Sequence, residues 1–86
     1  MSSFKDLIKG AREAKKFTQT DIVRLFGGTF TESLVYNWEH GKSYPSAHLF
    51  KAYCKALGLD ARFMFDLMID EKYGRKIASM KRRYLL

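Results

Sequence analysis

Eighty-six residues, 47% hydrophobic and 15% aromatic, can close one small core, which excludes extended disorder. One cysteine, Cys54, excludes an internal disulfide, and no apolar run approaches the roughly 20 residues that a membrane span needs. The net charge of +7 is uneven: residues 1–70 hold ten Lys/Arg and eight Asp/Glu (+2), residues 71–86 six and one (+5).

Ser3-Phe4-Lys5-Asp6 reads as a helix cap, and Phe4, Leu7, Ile8 and Ala11 follow at helical spacing, so a first helix is expected at about 3–16. Thr18-Gln19-Thr20-Asp21 repeats the cap, and Ile22, Val23, Leu25 and Phe26 make a second helix at about 18–26, ended by Gly27. Thr29-Phe30-Thr31-Glu32 is a third cap pattern, with Thr31 as its rival. The third helix runs from there to about His40, with Val35 and Trp38 on its apolar side. Positive φ is expected at Gly27 or Gly28, and a start near Thr29 with Glu32 completing the capping box.

Lys42-Ser43-Tyr44-Pro45 forms a loop, and Ser46 caps a fourth helix striped by Leu49, Phe50, Tyr53 and Leu57. Asp60 caps a fifth, carrying Phe63, Leu67 and Met68. In the basic segment, Ile69, Tyr73, Ile77, Met80 and Tyr84 recur at intervals of 4, 4, 3 and 4, one apolar stripe opposite Lys72, Arg75, Lys76, Lys81 and Arg82. No stretch alternates with period two. The expectation is an all-α chain: a domain over 1–69 and a basic amphipathic helical extension over 70–86.

Two short helices joined by a glycine-containing turn suggest a helix-turn-helix, and the surrounding residues sharpen it. They are Arg12, Thr18-Gln19, Ile22, Gly27, Val35, Trp38-Glu39, Gly41-Lys42, Pro45 and Lys55-Ala56-Leu57-Gly58-Leu59. From Leu7 to Leu67 the chain resembles the Cro/repressor (XRE-type) helix-turn-helix family. The resemblance implies a lambda-repressor-like five-helix domain with the third helix in the major groove, the start of the second on a phosphate, and an ion pair between Arg12 and Glu39. It also implies a dimer on an inverted repeat and a repressor. Between Gln19 and Glu39 the chain is two residues longer than the commonest family form, the excess falling around "GGTF".

Side-chain chemistry points the same way. The major groove admits one helix, and short polar side chains can read base edges there. The residues expected at DNA are Thr29, Thr31, Glu32, Ser33, Leu34, Tyr36 and Asn37 at the bases, and Thr18, Gln19, His40 and Lys42 at phosphates. The stripe residues Tyr73, Ile77, Met80 and Tyr84 are expected to join two copies, the alternatives being packing on their own domain or a basic arm that orders only on DNA. No cofactor, metal cluster or small-molecule substrate is expected, no nucleophile–base pair suggests an enzyme, and a cytoplasmic setting is expected, at the nucleoid when bound to DNA. The alternative is an antitoxin-like module whose C-terminal segment binds a protein and whose DNA binding is autoregulatory.

Overall fold

The computed structural model describes residues 3–73 and Tyr84. Five helices follow one another: α1 Phe4–Ala14, α2 Gln19–Leu25, α3 Glu32–Glu39, α4 Ala47–Ala56 and α5 Ala61–Tyr73. There is no strand among the described residues. Each helix starts where a short polar side chain precedes an apolar run. Ser3 accepts the Asp6 N–H, and Thr18 forms a full capping box with Asp21: Asp21 N–H to Thr18 Oγ1 at 3.0 Å, Thr18 N–H to Asp21 Oδ2 at 2.8 Å.

The helices stop as locally. Gly27, Gly41 and Gly58 stand just past α2, α3 and α4 with φ of 64°, 73° and 73°. The next N–H then turns back to a helix carbonyl: Gly28 to Val23, Lys42 to Asn37, Leu59 to Cys54. Past α1 the same turn is made by Lys16 at φ 60°, with Lys16 N–H to Glu13 O and Phe17 N–H to Arg12 O. A side chain in this left-handed region costs roughly 1–2 kcal/mol, which glycine avoids.

The core gathers one face of every helix: Phe4 and Ile8, Ile22, Val35 and Trp38, Phe50, Tyr53 and Cys54, Met64, Phe65, Met68 and Ile69. The buried face of α5 is therefore 64/65/68/69. Of the residues expected there only Met68 is buried; Phe63 is 58% exposed and Leu67 half-buried. Burial pushes the Cys54 thiol up to about 12.

α5 passes unbroken through positions 69 and 70, where the sequence reading divides domain from extension. Its Glu71 accepts the Phe4 N–H at 2.7 Å and the Tyr44 hydroxyl at 2.9 Å, joining the start of α1 and the α3–α4 loop to the end of α5. Ile69 is fully buried. Tyr84 packs edge-on against Phe50 at 5.1 Å, lies 5.5 Å from Phe65, and donates to Pro45 O at 3.4 Å. The Tyr84 ring thus covers part of its own core, the alternative reading of the stripe. Ile77 and Met80 lie outside the described residues, as does the side chain of Tyr73.

Candidate nucleic-acid interface

The α2–α3 unit is fixed by a buried polar knot. Arg12 Nε donates to Glu39 Oε2 at 2.6 Å, Nη2 to Oε1 at 3.0 Å and Nη1 to Phe17 O at 2.7 Å. Arg12 is 9% exposed and Glu39 4%. The hydrogen bond to Glu39 is the main cause that raises the Arg12 pKa, against the lowering effect of burial. The ion pair implied by the resemblance is thus present, and it ties the end of α1 to the end of α3.

Gln19 joins the same knot. Its side chain is half-buried and donates from Nε2 to Glu39 Oε1 at 3.2 Å. One amide N–H of Gln19 is thus turned inward, because the first turn of α2 lies against the carboxylate. Thr18 is exposed, but its N–H and hydroxyl both serve the capping box with Asp21. What α2 offers outward is the first-turn N–H groups of Gln19 and Thr20, which have no acceptor within the helix.

Residues 26–31 link α2 to α3. Gly27 and Gly28 both have positive φ (64° and 74°), and Phe30, 5% exposed, tucks beneath the turn. Its ring lies 5.1 Å from Phe26 and 5.1 Å from Trp38, whose own ring meets Tyr53 at 5.0 Å. The start expected at Thr29, with Glu32 closing a box, is corrected: Thr31 takes the cap position, without a side-chain bond, and Glu32 is the first helical residue. Burying a phenylalanine contributes about 1.5–3 kcal/mol and a cap typically about 1. Seating Phe30 therefore decides where α3 begins. Thr29 is left exposed in the turn.

At roughly 100° per residue, the register of α3 sets Ser33, Asn37 and His40 opposite Val35, Trp38 and Glu39, with Leu34 and Tyr36 flanking. Burial agrees: Val35, Trp38 and Glu39 are buried, Ser33, Leu34, Tyr36 and His40 exposed, Asn37 half-buried. Thr31 and Glu32 are exposed but fall by register towards the Val35 side, so they front the start of the helix. His40 stacks on Tyr36 at 3.8 Å and 18°, and its Nδ1 meets Tyr36 O at 2.8 Å. A carbonyl only accepts, so Nδ1 carries the hydrogen and Nε2 is left for another partner. Lys42 Nζ lies 5.4 Å from the Tyr36 ring centre.

Sequence reasoning missed the place of Gln19 in the Arg12–Glu39 knot, which depends on α3 bringing Glu39 to it. It also missed Glu71, whose partners are too distant in sequence for any local pattern to show. Among the described residues no three His, Cys, Asp or Glu side chains gather as a metal site, and no helix is long and apolar enough to cross a membrane.

The family model described as helix-turn-helix matches residues 8–64, which span α1 from Ile8 to the first turn of α5. No curated protein and no solved structure matches the chain.

Proposed function

The chain belongs to the helix-turn-helix family of the Cro/repressor (XRE) type, a family of DNA-binding regulators, and from that membership we propose a sequence-specific repressor that reads an inverted repeat as a dimer. The observation that carries this reading is the division of α3. Val35, Trp38 and Glu39 anchor it inward, while Ser33, Asn37 and His40 stand outward with Leu34 and Tyr36 on their flanks. A helix so held fits the major groove.

Asn37 and Ser33 take base edges, Asn37 being able to bond adenine through both amide atoms, and Leu34 meets a thymine methyl. Tyr36 flanks them. Thr31, Glu32 and Thr29 reach DNA from the start of α3, Glu32 as an acceptor for a cytosine amino group. Phosphates fall to Lys42, to His40 through Nε2, and to the start of α2 behind Thr18. A dimer sets two α3 helices about one DNA turn apart, roughly 34 Å. With Tyr84 on its own core, exposed Phe63 on α5 is the better-supported seat of that contact, alone or with residues 73, 77 and 80.

The test is selection of a binding site from random duplexes, followed by gel shift. A palindromic site bound with 2:1 stoichiometry is expected, and Phe63→Ser should make the free protein lighter by light scattering. Binding that shows no preference among sequences would refute sequence reading by α3.

A further inference from the structure

Where α1 gives way to α2, an open groove of about 510 Å3 is lined by Lys15, Lys16, Phe17, Asp21, Arg24 and Leu25. None of the six belongs to the DNA-reading surface proposed above. We propose that this groove docks an acidic segment of a partner protein carrying an apolar anchor residue.

Leu25 is 56% exposed at the last position of α2, and Phe17 beside it is only half-buried. Apolar surface of this kind gains from being covered. Around it stand three cations against one anion. That anion, Asp21, is turned onto the Thr18 N–H, and its pKa is lowered chiefly by that bond. The groove is therefore positive, which disfavours both the same groove of a second copy and the +5 segment 71–86 as occupants.

Lys16 adds an independent observation. Among the described residues it is the one non-glycine with positive φ, at a turn that α2, α3 and α4 make with glycine. A cation is held at this groove in spite of the strained backbone. A DNA backbone could answer the charge, but it has no apolar side chain to lay over Leu25 and Phe17. An acidic peptide with one large apolar residue answers both, which favours protein over nucleic acid.

The experiment titrates the full chain against three labelled probes by fluorescence anisotropy. They are a glutamate-rich peptide with one central leucine, the same peptide with serine for leucine, and a random-sequence duplex. The leucine peptide should bind saturably, about tenfold tighter than the serine peptide. Leu25→Ser should weaken the leucine peptide about tenfold and leave the duplex within about twofold. Lys16→Gly should weaken the leucine peptide while raising the melting temperature, because strain leaves with the charge. Equal binding of the two peptides, or indifference of the leucine peptide to Leu25→Ser, overturns the proposal. So does a duplex affinity that falls in step with the peptide in Leu25→Ser, since the groove then belongs to the DNA contact.

Discussion

The two ends of α3 are held by opposite kinds of force. At its C-terminus Glu39 is gripped by Arg12 and Gln19 through directional, charged hydrogen bonds in a buried site. At its N-terminus Thr31 makes no side-chain cap, and the position is set by the Phe26–Phe30–Trp38 rings under a glycine turn. Charged hydrogen bonds fix angle and register, whereas the burial of apolar area is non-directional. The outward residues near the knot, Asn37 and His40, therefore sit on the better-defined half of the helix, and Thr31, Glu32 and Ser33 on the more adaptable one.

Breaking the knot should give the largest effect. Glu39→Ala leaves the Arg12 guanidinium buried without its partner, and urea unfolding should show a loss of about 3–5 kcal/mol. Arg12→Met with Glu39→Leu should recover most of that loss; a double variant as unstable as Glu39→Ala would mean that the ion pair itself, and not the avoidance of a lone buried charge, stabilises the fold.

On the reading surface, Asn37→Ala should cost roughly 1–3 kcal/mol on the selected site and relax preference at one base pair. Lys42→Gln should weaken selected and random duplexes alike, with a salt slope shallower by about 0.9. Equal losses on both duplexes for Asn37→Ala would remove it from base reading.

Sharpening the other end calls for smaller changes. Gly28 sits at φ 74° with nothing within 4 Å of an added Cβ, so Gly28→Ala tests backbone strain alone. A loss of about 1 kcal/mol in thermal unfolding is expected. If the start of α3 is the adaptable one, selectivity at the Asn37 position should survive it.

The gentlest probe is alkaline pH. Burial first, then the bond to Glu71, raises the Tyr44 hydroxyl from 10.0 to about 12. A folded pKa above the unfolded one favours the folded state fully below pH 10 and loses that contribution as pH rises to about 12. Unfolding monitored across that window should show the loss in the wild type, and less of it in Tyr44→Phe.

The five helices were legible because their signals are local: Thr18 with Asp21 writes a capping box, Gly41 and Gly58 write stops, and Trp38-Glu39 with Gly41-Lys42 writes the family. The start of α3 was misplaced for a physical reason. Thr29 and Thr31 offer equivalent local caps, and only the non-local burial of Phe30 against Trp38 chooses between them. The same limit hid Gln19, whose polar side chain looks free until α3 brings Glu39 to it. On α5, Phe63 and Met64 are adjacent and both apolar, so the pattern could not say which one turns inward.

Glu71 carries a practical consequence for excising this module. The family match ends at residue 64 and begins at residue 8, yet the carboxylate that receives the Phe4 N–H and the Tyr44 hydroxyl lies beyond one limit, and Phe4 lies before the other. A fragment trimmed to the matched segment would keep α2 and α3 whole but sever the clasp that closes the first helix onto the last. The smallest transplantable piece, for a chimera or a grafted reading head, is therefore bounded by Ser3 and Tyr73, with the Tyr84 ring as a separate plug over Phe50.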